Sequence, residues 1–365
     1  MADKRLKIGI TQGDTNGIGW EVILKIFADT RMCEICTPII YGSQKVADHY
    51  RPTVEEAQGI RFSIVESASA AKSGRVSLVE CGSVKSITPG EASAEAGIAA
   101  VEALAKATAE LKSGALDAIV TAPFNKETVQ SEEFKCTGHT EYMAENFEGK
   151  NMMMMCSERL KVALVTKHLP LSEVSTAISK ELIAEDLAAL RRTLIQDFSI
   201  VEPRIAVLSL NPHAGDGGLL GAEERDIITP AIREAFSKGV LAFGPFAADG
   251  LFASGGYAKY DAVLAIYHDQ GLIPFKTLSP DGVNFTAGLS AVRTSPDHGV
   301  AYDIAGKGIA DEASMRNAIY MALDVVRSRA TYAEITASPL QRAERERGHR
   351  DVNVRDLPQH TLERL

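Results

Sequence analysis

The sequence predicts an α/β fold with room for two domains, and two observations support this prediction. Short runs rich in β-branched residues alternate with longer stretches in which apolar residues return every three or four positions. Such alternation of strands and helices is typical of a sheet covered by helices. The chain has 365 residues, of which 45% are hydrophobic and 24% charged. At roughly 150 residues per domain, a globular chain of this length fits about two domains.

The predicted elements follow one another along most of the chain. Seven apolar runs are predicted strands: residues 6–11, 38–41, 76–81, 118–122, 162–166, 205–210 and 262–266. Five amphipathic stretches are predicted helices: residues 18–28, 93–112, 180–195, 223–238 and 311–328. The four methionines at 152–155 are interpreted as a further buried strand, since methionine commonly fills gaps in apolar cores. Residues 338–365 are predicted to be a polar, solvated tail.

Charge and apolar content exclude several classes of protein. The net charge of −9 argues against a general nucleic-acid binder. No apolar run reaches the ~20 residues that a membrane helix needs, and the run at 6–10 is too short for a secretion signal. The five cysteines are an odd number scattered over a long chain, which favours free thiols in a reducing compartment. We therefore expect a soluble, cytoplasmic protein.

Three histidines occupy the same position relative to predicted strands. His168, His213 and His268 each follow an apolar run, at 162–166, 205–210 and 262–266. Ligands of α/β proteins bind outside the carboxyl ends of the strands, so three imidazoles could converge there. Imidazole suits a divalent transition metal, and three protein ligands leave one position open for a substrate oxygen. The alternative is three separate histidines, each hydrogen-bonded at its own strand end.

Other residues are candidates for binding an anion. His139 and Thr140 precede a helical pattern, and the N-terminus of a helix attracts anions; Thr140 could equally be a simple N-cap. Lys276, Asn284 and Arg293 stand among apolar residues, where a cation needs a partner. That partner is either a substrate phosphate or carboxylate, or a structural Asp or Glu.

The order of these motifs resembles that of the PdxA family of pyridoxal phosphate biosynthesis, and the resemblance covers nearly the whole chain. The motifs are Gly13-Asp14 with Gly17-Ile18-Gly19, Thr137-Gly138-His139-Thr140-Glu141, His168-Leu169-Pro170-Leu171, Asn211-Pro212-His213-Ala214-Gly215, Tyr267-His268-Asp269-Gln270-Gly271, Gly282-Val283-Asn284, Arg293-Thr294-Ser295 and Asp297-His298-Gly299. The first loop departs from the family pattern, since Thr15, Asn16 and Trp20 replace its usual Pro, Ala and Pro.

The resemblance implies a function. It implies NAD-dependent oxidation of 4-phosphooxy-L-threonine to 2-amino-3-oxo-4-phosphooxybutanoate, which decarboxylates to 3-amino-2-oxopropyl phosphate. A divalent metal (zinc, or magnesium or cobalt) would be held by three histidines. The implied metal ligands are His168, His213 and His268, and the implied substrate contacts are His139, Thr140, Lys276, Asn284 and Arg293.

The resemblance also implies an architecture. It implies two α/β/α domains like those of isocitrate and isopropylmalate dehydrogenases, with residues 1–125 plus 300–337 in the first and 126–299 in the second. It further implies a homodimer with the active site at the subunit interface. There, His168 would meet His213 and His268 of the partner subunit.

Two other functions stay open at this point. A related dehydrogenase of D-threonate or D-erythronate 4-phosphate would need the same metal and anion contacts. A zinc hydrolase or lyase with three histidine ligands would instead use the open metal position to activate water. Dependence on NAD separates the dehydrogenases from the hydrolase or lyase.

Overall fold

The structure is a computed structural model and describes residues 5–132 and 134–340. It confirms the α/β class, because these residues form one twelve-stranded sheet with helices on both faces. The strands are β1 (Lys7–Thr11), β2 (Thr37–Gly42), β3 (Ser63–Val65), β4 (Ser77–Glu80), β5 (Ala118–Thr121), β6 (Gly149–Cys156), β7 (Lys161–Leu164), β8 (Arg204–Leu208), β9 (Leu241–Phe246), β10 (Ala262–Ala265), β11 (Val283–Leu289) and β12 (Arg293–Pro296). The helices are α1 (Gly19–Ala28), α2 (Met32–Ile35), α3 (Gln44–Tyr50), α4 (Ala94–Lys112), α5 (His139–Asn146), α6 (Leu171–Ala177), α7 (Lys180–Gln196), α8 (Thr229–Ser237), α9 (Ala248–Ala253), α10 (His268–Leu278) and α11 (Ala313–Thr336).

The direction of the strands reverses in the middle of the sheet. The strand order is β3-β4-β2-β1-β5-β12-β11-β6-β7-β10-β8-β9. The first six strands are parallel to one another, and so are the last four. Three antiparallel pairings separate the two groups: β12 with β11, β11 with β6, and β6 with β7. The carboxyl ends of β7, β10 and β8 therefore share one edge of the sheet.

Successive side chains along each strand point to opposite faces of the sheet, and helices pack against both faces. Ile8 of β1 and Leu264 of β10 belong to one core, to which α1, α7, α8 and α11 contribute buried residues. Ile39 of β2 packs on the opposite face with residues of α4, and Val263 of β10 packs there with α10. Both faces are covered, as expected for a largely parallel sheet.

The structure contains all seven predicted strands and all five predicted helices, with shifted ends. The methionines at 152–155 lie in β6, as interpreted. The helix predicted at 223–238 is divided, because Glu224–Ile228 form a π-helical turn before α8 begins. The sequence does not predict β12, whose Arg-Thr-Ser-Pro sequence lacks an apolar pattern although all four residues are buried.

The sheet is continuous across the two predicted domains, so their division stays a prediction. Strands β1 to β5 come from the first predicted segment and β6 to β11 from the second, whereas β12, also in the second, pairs with β5. Only residues 338–340 of the predicted tail belong to the described part of the chain; residues 341–365 lie outside it. None of the described helices has both the length and the apolar character needed to cross a membrane.

Candidate active site

A cavity of about 210 Å³ lies over the central strands, where the sheet reverses direction. Arg293 and Ser295 of β12 line it together with Asn284 of β11. Residues two apart on a strand point to the same face, which explains why Arg293 and Ser295 share the cavity. Thr294 points away and donates a hydrogen bond to Ala318 O of α11 at 2.7 Å. Other lining residues include Phe124, Lys126, His139, Glu141, His168 and His298.

Arg293 is a buried cation, only 3% exposed. Its guanidinium donates to Thr121 Oγ1 at 3.0 and 2.6 Å and to Thr286 Oγ1 at 3.1 Å. Burial lowers the pKa of Arg293 to about 10. Within the described residues this guanidinium has hydroxyl partners but no carboxylate partner. A buried charge without a counter-ion is costly, so the cavity is suited to an anionic ligand.

The predicted pair His139 and Thr140 begins α5 and lies beside Arg293. The His139 ring stacks on Phe124, with ring centroids 3.7 Å apart. Burial holds the pKa of His139 well below its usual value, and the positive charges of Arg293 and Lys126 act in the same direction. Thr140 Oγ1 lies 3.5 Å from Arg293 Nη1. A neutral imidazole and a hydroxyl therefore accompany the guanidinium in the cavity.

The other two predicted substrate contacts, Asn284 and Lys276, have different surroundings. Asn284 lines the cavity, and its Oδ1 is buried without a hydrogen-bond partner in the described chain. Lys276 of α10 instead forms an ion pair with Asp297, with Nζ 2.6 Å from Oδ1. Burial raises the pKa of Asp297, and the hydrogen bond from Lys276 opposes that rise. Lys276 therefore pairs with an aspartate in this structure, and its contact with substrate stays a prediction.

Two of the three candidate metal ligands come together. His168 follows β7 and His268 begins α10 directly after β10, and these two strands are parallel neighbours. The ring centroids of His168 and His268 are 5.6 Å apart within one chain. His268 Nδ1 lies 2.7 Å from Asp269 Oδ1, which fixes the ring and leaves Nε2 for another partner. His168 also lines the cavity, so the pair adjoins the anion pocket.

His213 lies on a loop of unusual conformation after β8. Residues 213–217 all have positive φ, with φ of 54° at His213, 53° at Ala214 and 43° at Asp216. Left-handed backbone is unfavourable for residues other than glycine, so surrounding contacts must hold this turn. The buried carboxylate of Glu224 accepts hydrogen bonds from Leu210 N at 2.8 Å and Asn211 N at 2.7 Å, immediately before the turn.

Across residues 5–132 and 134–340, no three His, Cys, Asp or Glu side chains lie close enough together to hold a metal ion. His213 is exposed and does not join the His168 and His268 pair in the single chain. The approach of His168 and His268 within one chain also differs from the expectation that His268 reaches His168 only from the partner subunit. Within one chain the structure brings together two residues of the implied ligand set, His168 and His268.

The cavity is lined by three further titratable residues, Lys126, Glu141 and His298, which were not predicted to bind a ligand. Lys126 is the first residue of the second predicted domain. Glu141 and His298 stand within motifs that carried the family resemblance. His298 Nδ1 lies 3.0 Å from Gly299 O, and its Nε2 is buried without a partner among the described residues. Their position beside Arg293 in the folded chain identifies all three as candidates for binding a ligand.

The fold and the cavity define a class: an α/β protein with a pocket for a small anionic ligand next to a pair of histidines. Residues 34–322 match the family model described as "Pyridoxal phosphate biosynthetic protein PdxA". The chain belongs to this family, and the resemblance inferred from its motifs is confirmed.

Proteins of known name agree with this assignment. The chain is 54% identical to a 4-hydroxythreonine-4-phosphate dehydrogenase of Bacteroides thetaiotaomicron, over 94% of each chain. It is 42% identical to the protein of the same name from Aquifex aeolicus, over 88% of this chain and 98% of the relative. The crystal structure of 4-hydroxythreonine-4-phosphate dehydrogenase from Klebsiella pneumoniae is 34% identical in sequence and superposes with a TM-score of 0.78, covering 89% of this chain and 99% of that one.

Proposed function

We propose that this protein is a dehydrogenase that uses NAD and a divalent metal ion to oxidise 4-phosphooxy-L-threonine at its secondary alcohol. The ketone formed, 2-amino-3-oxo-4-phosphooxybutanoate, is a β-keto acid and loses carbon dioxide to give 3-amino-2-oxopropyl phosphate, in pyridoxal 5'-phosphate biosynthesis. The observation that carries the proposal is the buried Arg293 guanidinium, which lines a cavity and donates to hydroxyl groups alone within the described part of the chain. The names of the relatives support the choice of substrate.

The residues of the cavity bind and orient the substrate in this proposal. Arg293 would bind one anionic group of the substrate, with Thr140 and Asn284 beside it. Binding energy gained far from the reacting carbon then orients that carbon for reaction. The pKa of His139 is well below its usual value, so the neutral imidazole would act as a hydrogen-bonding group. Lys276 would contact the substrate by exchanging Asp297 for a substrate anion.

We assign the divalent metal to His168, His268 and His213, with zinc, magnesium and cobalt as candidate ions. The 5.6 Å approach of two rings and the orientation of His268 by Asp269 support the first two ligands. A bound divalent ion would lower the pKa of the substrate hydroxyl and stabilise negative charge on its oxygen. NAD would accept the hydride from the alcohol carbon.

We propose that a second copy of the chain supplies the third metal ligand, in a homodimer with the active site at the interface. Apolar side chains near each candidate ligand are exposed: Leu171 is 72% exposed, Leu219 79% and Ile273 64%. Leu171 follows His168, Leu219 follows the His213 turn, and Ile273 lies on the helix that His268 begins. Exposed apolar residues around one edge are typical of a protein interface. Because His168 and His268 already meet in one chain, we propose that the partner supplies His213.

The test is an assay of the purified protein by NADH absorbance. The substrates are 4-phosphooxy-L-threonine, D-threonate 4-phosphate and D-erythronate 4-phosphate, each with added zinc, magnesium or cobalt and again after chelation. We expect metal-dependent NADH formation, with the highest kcat/KM for 4-phosphooxy-L-threonine. A clear preference for either sugar-acid phosphate would support the related dehydrogenase instead. Absence of NADH with all three substrates would overturn a dehydrogenase and leave a metal-dependent hydrolase or lyase to be tested.

A further inference from the structure

The cavity contains one carboxylate that has no hydrogen-bond or ion-pair partner within the described chain. Glu141 stands in the first turn of α5 and lines the cavity with Arg293 and Lys126. Among the residues that the structure describes, Glu141 is the one acidic residue that lines the cavity. Its carboxylate forms neither a hydrogen bond nor an ion pair with any residue at 5–132 or 134–340. The negative charge of Glu141 nevertheless acts on the cavity, because it opposes the lowering of the Arg293 pKa by burial.

The side chains of Glu141 and Lys126 both lie close to Gly138. A Cβ atom placed on Gly138 would be 3.3 Å from Glu141 Oε2 and 3.6 Å from Lys126 Cε. The two opposite charges are thus held near the same point of the backbone without forming an ion pair with each other. An acid in the first turn of a helix also interacts favourably with the helix dipole, but that role alone does not require the carboxylate to line the cavity.

The signs of these charges describe a ligand. Arg293 and Lys126 would each attract an anionic group of a ligand, and Glu141 would attract a cationic group. A phosphorylated amino acid carries a phosphate, a carboxylate and an ammonium, whereas a phosphorylated sugar acid carries only the two anions. We propose that Glu141 binds the ammonium group of the substrate and makes the cavity selective for a 2-amino acid phosphate over its 2-hydroxy counterpart. This inference rests on the proposed function, because it concerns the same cavity.

Substituting the carboxylate by its amide tests this inference through a ratio of substrates. Glu141→Gln keeps the size of the side chain and removes its charge. Loss of a hydrogen bond to a charged group lowers the binding constant about 10- to 100-fold. We expect kcat/KM for 4-phosphooxy-L-threonine to fall by that factor. The value for D-threonate 4-phosphate should stay within about threefold of the wild type, because a neutral hydroxyl gains little from the charge.

Glu145→Gln is the matched control on the same helix. Glu145 Oε2 lies 3.2 Å from Cys136 Sγ, and the residue does not line the cavity. This variant should keep the wild-type ratio of the two substrates. If the sugar-acid phosphate is not oxidised, its inhibition constant against the amino substrate replaces kcat/KM in the comparison.

The possible results separate this inference from the proposed function. A wild-type protein that oxidises no substrate contradicts the function itself. A wild type that oxidises 4-phosphooxy-L-threonine, with Glu141→Gln equally impaired toward both ligands or unchanged toward both, overturns the ammonium site alone. If Glu141→Gln does not give the wild-type circular dichroism spectrum, Glu141→Asp serves instead. That variant retains the charge and should retain the preference for the amine, and loss of the preference would also overturn the inference.

Discussion

Arg293 donates two hydrogen bonds to the single hydroxyl oxygen of Thr121, from Nε at 3.0 Å and from Nη2 at 2.6 Å. The two residues come from paired parallel strands, β12 and β5, in the middle of the sheet. This arrangement fixes the plane of the guanidinium without neutralising its charge. The protein therefore keeps a positive charge oriented and buried, at a cost in stability, in a cavity where a ligand can neutralise it.

Replacing Arg293 by methionine should stabilise the protein without ligand and abolish substrate binding. The apolar side chain removes a buried charge that is not hydrogen-bonded to any carboxylate in the described chain, and we expect the free energy of unfolding to rise by about 1 to 2 kcal/mol. Urea unfolding and substrate titration measure the two effects. Arg329→Met is the matched control, since Arg329 pairs with buried Asp197 at 2.6 Å. Loss of that partner should destabilise by about 3 kcal/mol. Destabilisation of equal size in both variants would contradict the role given to Arg293.

Single alanine substitutions of the three candidate metal ligands should abolish dehydrogenation and leave the fold intact. Catalytic metals act on a scaffold that folds without them. We expect His168→Ala, His213→Ala and His268→Ala to lose bound metal in equilibrium dialysis and to keep the wild-type circular dichroism spectrum. Asp269→Asn should weaken metal binding about 10- to 100-fold, because Asp269 orients the His268 ring. A fully active His213→Ala protein in metal-depleted buffer would refute the ligand set.

Mixed dimers should reveal which subunit supplies each histidine. If the partner supplies His213, a His168→Ala chain paired with a His213→Ala chain has both lesions in one site and leaves the other site complete. We expect this heterodimer to regain up to about half of wild-type activity, if sites act independently. A His168→Ala chain paired with a His268→Ala chain should stay inactive, since the close approach of these two rings assigns them to one chain. Activity in the second heterodimer and not in the first would require His268, not His213, to cross the interface.

The stability of the protein should fall at acid pH because of His139. Its pKa is well below the ordinary value of 6.5 in the folded chain, so below about pH 6.5 the unfolded chain binds more protons. The stability is complete above pH 6.5 and decreases as the pH falls toward the folded pKa. Between pH 7.5 and 5.5 the expected loss from this residue is about 1.4 kcal/mol. His139→Gln should lack this loss in urea unfolding at the two pH values. His49→Gln, at an exposed position, is the control, and an identical pH dependence in wild type and His139→Gln would contradict the prediction.

Part of the site is predictable because it depends on local sequence. His168 and His268 each follow an apolar strand, and parallel neighbouring strands bring their ends to one edge. The neighbours of Arg293 in sequence likewise mark it as a cation that needs a partner. Lys276 satisfies the same criterion, yet it pairs with Asp297, 21 residues further along the chain. No local pattern distinguishes these two cations, whose partners differ only in the folded chain.

The remaining parts of the fold depend on contacts that no local pattern encodes. β12 has a polar sequence and becomes a strand because β5 and β11 pair with it on both sides. The left-handed conformation of the His213 turn is also not predictable from sequence. The glycines at 215, 217 and 218 indicate a flexible backbone but not the sign of its φ angles. No sequence pattern distinguishes Glu141, because a carboxylate early in a helix is common. Only its position in the cavity of the folded chain distinguishes it.

The left-handed turn at 213–217 also bears on the order in which the chain folds. Left-handed backbone is unfavourable at His213, Ala214 and Asp216, so we expect this turn to form only when its surroundings impose it. The hydrogen bonds from Leu210 and Asn211 to Glu224 exist only after the end of β8 and the helical segment starting at 224 have docked. The loop that carries His213 should therefore order after the rate-limiting step. Substitutions in the turn would then change the rate of unfolding and leave the rate of folding nearly unchanged.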